Sequence, residues 1–221
     1  EMKNTYFNLI EQSYDFPQEG FDLRDGNLFF NGVSLKHLIE EYGTPFRLTY
    51  LPKIGSQIKK SKNWFNKAIR ANNYKGKYYY CYCTKCCHFQ HVISEALKHD
   101  IHIETSSSFD IDLILKLYEQ GQIDTSIVLI HNGYKTKKYI DNILKINRLG
   151  FKNSITVLDS MRELKRFAAL DRKLKIGIRM ATELQPKSDY YTSRLGIRKD
   201  DVLDFYQEKV KIRPTWVKLR L

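Results

Sequence analysis

The apolar positions of this chain change their period near residue 77. Upstream, Phe21-Asp22-Leu23-Arg24 and Leu28-Phe29-Phe30 flank Asp25-Gly26-Asn27, a pattern that predicts two short strands joined by a tight hairpin turn. Ser34 caps a predicted short helix through Leu38 and Ile39 that stops at Gly43. Thr44-Pro45 breaks the chain before a further predicted strand over 46–50. Ile54, Ile58, Trp64, Phe65 and Ile69 then fall on one side of a long amphipathic helix predicted over roughly 53–72. Downstream a regular rhythm sets in. Strands are predicted at 78–83, 101–105, 126–131, 154–158, 174–180 and 216–221, with helices at 88–98, 109–120, 135–148, 161–170 and 200–210 between them. Strand–helix alternation with short Val/Ile/Leu strands implies a parallel sheet with helical crossovers. Six such strands suit either a doubly wound sheet or most of an eight-stranded barrel. No glycine-rich dinucleotide fingerprint follows any strand, which counts against the classical nucleotide-binding version.

The 221 residues suffice for one large domain or two small ones, and 42% hydrophobic content supports a proper core. No apolar run is long enough to span a bilayer, and Glu1-Met2-Lys3-Asn4 lacks a signal-peptide pattern, so a soluble cytoplasmic protein is expected. The net charge of +12 raises nucleic-acid binding, but the lysines are scattered at helical spacing, as in Lys59-Lys60-Ser61-Lys62, and no nucleic-acid motif accompanies them. A non-catalytic basic binding module stays open as an alternative. All four cysteines fall between 81 and 87 beside His88 and His91. No second ligand pair follows to close a tetrahedron, so no metal site is expected, and the cysteines read as reduced thiols packed as small hydrophobes.

One polar position changes the picture most. Lys85 ends the run Tyr78-Tyr79-Tyr80-Cys81-Tyr82-Cys83-Thr84-Lys85, where strand gives way to helix. A lysine placed there and partly desolvated loses its proton more readily and attacks carbonyls, which points to a Schiff-base lysine holding an aldehyde cofactor. A solvated lysine capping a buried strand is the plainer reading. The other strand ends are polar too: Glu104-Thr105-Ser106-Ser107, His131-Asn132-Gly133, Asp159-Ser160 and Arg179. Ser107 and Ser160 also serve as helix N-caps. In a barrel these ends converge on one face, gathering an amine, a carboxylate, hydroxyls and a guanidinium.

Together these segments resemble the pyridoxal-phosphate decarboxylases with an alanine-racemase-like barrel, and among them the biosynthetic arginine decarboxylases. Tyr82-Cys83-Thr84-Lys85-Cys86-Cys87 resembles the family's first barrel strand, with Cys87 where Asn is usual. Glu104 and Asp110 match its two acids at the second strand end. Asn132-Gly133-Tyr134-Lys135, followed by Tyr139-Ile140, is the most discriminating match to the arginine enzymes. Asp159-Ser160 with Glu163-Leu164, Gly177-Ile178-Arg179 and Ser193-Arg194-Leu195-Gly196-Ile197 match later segments, Leu195 standing in an aromatic place.

The resemblance implies an α/β fold: a partial (β/α)8 TIM-type barrel of about six of eight strands over 51–221, preceded by a small β/α segment over 1–50 that contributes to the β domain. It implies pyridoxal 5′-phosphate as cofactor, Lys85 as the catalytic lysine, and Lys85, Glu104 and Arg179 as cofactor-binding residues, with Glu104 tuning the protonation of Lys85. The implied reaction converts L-arginine to agmatine in polyamine biosynthesis, in a homodimer, with no nucleic acid or membrane partner. Related decarboxylases of diaminopimelate, ornithine or carboxynorspermidine are the alternatives. The chain stops at Leu221 within the sixth expected strand, so the resemblance implies roughly the first half of the enzyme, with no decarboxylation expected of these residues alone.

Overall fold

Local turn chemistry builds the first elements of the chain. The structure, a computed structural model, describes residues 19–170, 174–181 and 195–212. The chain forms two compact units, the first ending at Tyr50 and the second beginning at Leu51.

In the first unit, β1 (Phe21–Arg24) and β2 (Asn27–Phe30) pair antiparallel with Arg24 opposite Asn27. Asp25 and Gly26 between them take φ of 47° and 73°, the doubly left-handed pair that matches strand twist in a two-residue hairpin. Asn31 and Gly32 repeat the device at φ 48° and 84°, adding β3 (Val33–Ser34) to the sheet. That second hairpin was not among the sequence expectations, although Asn-Gly is the strongest short-range hairpin signal. Ser34 then caps α1 (Leu35–Tyr42) through the His37 N–H, and the Gly43 N–H closes the helix on Ile39 O. Residues 46–50 form no strand, contrary to expectation. A strand needs a ladder partner, and the sheet of this unit ends with the order β1-β2-β3.

The second unit opens with α2 (Leu51–Ala71), whose Ile58 packs with Ala96 and Ile101. Then come β4 (Cys81–Cys83), α3 (Gln90–Leu97), β5 (His102–Thr105), α4 (Ser108–Glu119), β6 (Leu129–His131) and α5 (Lys137–Arg148). The chain continues through β7 (Ser154–Leu158), α6 (Met161–Ala168), β8 (Lys175–Ile178) and α7 (Val202–Ile212). Strands β4 to β8 form one parallel sheet in sequential order. That order separates the two architectures left open above. A doubly wound sheet reverses direction at a switch point, whereas a barrel adds each strand to the same side. Right-handed crossovers in sequential order also lay every helix on one face. Burial alternates accordingly: Ser154, Thr156 and Leu158 are buried while Ile155 and Val157 are half-exposed. The fold is a partial (β/α)8 barrel.

The core lies between the sheet and its helices. Ile103, Leu129 and Leu158 meet Ile111, Ile114, Ile143, Leu164 and Phe167, all at most 1% exposed. The expected strand at 126–131 is shortened to three residues because Asp124 accepts from the Ser126 N–H in a side-chain turn, and the Val128 N–H turns to His102 Nδ1. The strand expected at 216–221 and the Ser193-Arg194 part of one motif lie outside the described residues.

Candidate functional site

Capping positions the loops at the C-terminal edge of the sheet. Ser107 and Asp110 form a reciprocal capping box at the start of α4, and Asp110 also accepts from the Ser106 N–H at 2.7 Å. Gly133 holds φ 72° in the loop after β6, where an added Cβ would stand 2.5 Å from Ser106 O. Only glycine lets these two loops approach so closely.

On the half-exposed face, Cys83 pairs across strands with Glu104. Glu104 Oε1 accepts from Asn132 Nδ2 at 3.3 Å and from Cys83 Sγ at 3.8 Å. The ends of β4, β5 and β6 are thereby tied through one carboxylate. Lys85 sits two residues beyond Cys83 on a turn closed by the Cys86 N–H on Cys83 O at 3.1 Å. Its charge and backbone N–H favour the Cys83 thiolate, but burial and Glu104 act more strongly and push that thiol up. Burial likewise raises Cys81 to about 11. Lys85 is exposed on that turn, where the sequence reading expects a partly buried lysine. Lys85 and Glu104 share the same rim without an ion pair within 4 Å. Arg179 follows β8 at the other end of the sheet, half-buried, with its N–H on Leu158 O. Its charge acts on the Lys135 ammonium.

Two polar clusters were not foreseen. His131, read from sequence as a mouth residue, points the other way and is wholly buried. In β6 it is one residue out of phase with the half-exposed row, so it faces the helices. Thr105 Oγ1 meets His131 Nδ1 and Tyr139 Oη, both at 2.8 Å, and His131 Nε2 meets Ser154 Oγ at 2.8 Å. Burial, reinforced by the Lys135 charge, drives the imidazole down to about 3. The unfolded chain takes up a proton below about 6.5 that the folded one refuses, so this contribution is full above 6.5 and is lost as pH falls toward 3. Lowering the pH from 6.5 to 5 should therefore remove about 2 kcal/mol of stability, at about 1.4 kcal/mol per unit. Urea unfolding at both pH values reads the slope, and a His131→Gln protein with the same slope would count against this origin.

The second cluster joins two motifs. Lys135 and Glu163 are 1% and 3% exposed, with Lys135 Nζ 3.5 Å from Glu163 Oε2. Lys135 Nζ also donates to Gly133 O at 2.7 Å and to Val157 O. Glu163 in turn accepts from the backbone N–H groups of Lys135 and Asp159 at 3.1 and 3.3 Å. Burial lowers the Lys135 ammonium, opposed by Glu163 and Asp159, while Arg179 adds a smaller repulsion. The sequence signal was the capping pattern Ser160-x-x-Glu163, which explains a cap but not the lysine it neutralises.

Among the described residues no group of three or more His, Cys, Asp or Glu is arranged to hold a metal ion, and no helix is long and apolar enough to cross a membrane. An exposed amine beside a carboxylate, an amide and thiols on an open sheet face is a donor set that fits an aldehyde cofactor.

Comparison with known proteins bears on the same residues. A family model described as pyridoxal-dependent decarboxylase, pyridoxal binding domain, matches residues 55–211. The biosynthetic arginine decarboxylase of Prochlorococcus marinus is 27% identical over 196 residues, covering 80% of this chain and 30% of the relative. That of Bacteroides thetaiotaomicron is 26% identical over 198 residues, covering 80% and 31%. The chain thus spans about a third of the length of these curated relatives. Among solved structures, diaminopimelate decarboxylase from M. jannaschii in complex with L-lysine superposes with a TM-score of 0.71 at 16% identity, over 91% of this chain and 46% of that one. The biosynthetic arginine decarboxylase from Campylobacter jejuni gives 0.66 at 16% identity, over 89% and 34%.

Proposed function

Because the chain belongs to the pyridoxal-dependent decarboxylases, through their pyridoxal-binding domain, we propose that it is the cofactor-binding part of an enzyme that decarboxylates L-arginine to agmatine. The observation that carries this reading is the tie between Cys83, Glu104 and Asn132 beside the turn that presents Lys85. When bound, pyridoxal 5′-phosphate supplies an electron sink for the carbanion left by loss of carbon dioxide. Lys85 supplies the amine that holds the aldehyde. Glu104 places a carboxylate on the neighbouring strand end, oriented by the Asn132 amide, and biases the protonation of groups bound there. Arg179, at the end of β8, would contribute a positive charge to the cofactor site. The complete protein acts as a homodimer in the cytoplasm and takes a small-molecule substrate.

Arginine is favoured over other basic amino acids by the Asn132-Gly133-Tyr134-Lys135 segment and by the names of the curated relatives. The test supplies arginine, ornithine, lysine and diaminopimelate in turn to the intact protein and quantifies the amine products. The expected result is agmatine formed at least about tenfold faster than any other product, a difference of about 1.4 kcal/mol in barrier. Preferential release of lysine from diaminopimelate would replace arginine as the substrate. No amine from any of the four would sink the decarboxylase reading.

A further inference from the structure

The four cysteines are the free thiols expected from the sequence, but they are not all packed as small hydrophobes. All four are free, and Cys86 is exposed while Cys83 is half-buried against Glu104. Cys83-Thr84-Lys85-Cys86 has the C-x-x-C spacing, and the Cys86 N–H on Cys83 O folds those four residues into one turn. A hydrogen-bonded turn holds its first and last Cα within about 7 Å, and a disulfide requires about 4.4–6.8 Å. Two other pairings are less suited. Cys81 and Cys83 are alternate residues of an extended strand, and Cys86 and Cys87 are adjacent. The described residues offer no metal cluster that would engage these thiols instead.

We infer that Cys83 and Cys86 form a reversible disulfide across the turn that carries Lys85, and that its formation withdraws the Lys85 amine from pyridoxal phosphate. The second clause rests on the function proposed above; the first does not. The oxidant is a low-molecular-weight disulfide. The exposed Cys86 thiolate attacks one of its sulfurs, that S–S bond breaks, and one thiolate leaves. Cys83 Sγ then attacks Cys86 Sγ and expels the second thiolate. Two protein thiols become one disulfide, one small disulfide becomes two thiols, and the two protons pass to the two leaving thiolates. Reaching Cys86 turns Cys83 Sγ away from Glu104 Oε1, and the short ring encloses Thr84 and Lys85. Lys85 then holds the geometry of the ring instead of the one set by β4 and Glu104. A displacement of about 1 Å is enough to disable a reacting group.

The experiment equilibrates the intact protein in mixtures of glutathione and glutathione disulfide, blocks free thiols and maps peptides by mass. Trypsin cuts after Lys85, so the crosslink appears as a pair of joined peptides. Reduced and oxidised samples then receive pyridoxal phosphate and cyanoborohydride, which traps amine adducts and spares disulfides. The expected result is a Cys83–Cys86 crosslink that dithiothreitol reverses, with Lys85 labelling about tenfold lower in the oxidised protein. In Cys86→Ser, labelling should not respond to the oxidant. Oxidation that joins other cysteines, or none, overturns the inference. A Cys83–Cys86 bond that leaves Lys85 labelling unchanged overturns the control of the amine. Lys85 unlabelled even in reduced protein sinks the proposed cofactor role, and the mass of the crosslink then decides the disulfide by itself.

Discussion

Replacing Lys85 by alanine should abolish the visible absorbance that pyridoxal phosphate acquires on the intact protein, together with all decarboxylation above the level of free cofactor. Lys135 lies on the same rim in sequence terms, but its ammonium is buried and committed to Glu163, Gly133 O and Val157 O. The loss should not come from a folding defect, because Lys85 is exposed on a turn. Exposed substitutions of that kind usually change stability by no more than about 0.5 kcal/mol. The measurement pairs a cofactor titration followed by absorbance with a urea midpoint on the same sample. An unchanged midpoint with the absorbance lost is the expected pair of results. Retained absorbance with full turnover would remove Lys85 from the site.

Removing the carboxylate of Glu163 should be the most destabilising single change on this rim. Glu163→Ala leaves the Lys135 ammonium buried with two carbonyls but without its ion-pair partner, and it strips the acceptor from two backbone N–H groups. Breaking a buried pair from one side costs about 3–5 kcal/mol, most of it the desolvation of the abandoned charge. Lys135→Met should cost a comparable amount for the mirrored reason. The double variant should cost less than the sum of the two, with a coupling of about 1–3 kcal/mol. Urea denaturation of the four proteins closes the cycle. A cost for Glu163→Ala below about 1 kcal/mol would mean that water reaches this pair.

Among the described residues, the alternation of strands and helices from position 77 onward was legible because each element carries its own period, and its capping residues stand at its ends. Ser34, Ser107 and Ser160 each cap the helix expected of them. Element ends were less legible where side chains compete with the ladder, as Asp124 does at the start of the expected strand at 126–131. The strand expected at 46–50 failed because strand formation depends on a neighbour that local sequence does not specify.

At the candidate site, the residue types and their strand-end positions were present in the sequence, and so was the family they resemble. What tertiary structure decided was direction and distance. Side chains on a strand alternate between faces, so a one-residue difference in phase sends Asn132 to Glu104 and His131 into the helix layer. Pairing between strands chose Cys83 as the neighbour of Glu104, and packing between α6 and the loop after β6 joined Lys135 to Glu163. Period, caps and residue chemistry are properties of neighbours along the chain. Ion pairs, burial and the partners of a carboxylate belong to residues that only folding makes adjacent.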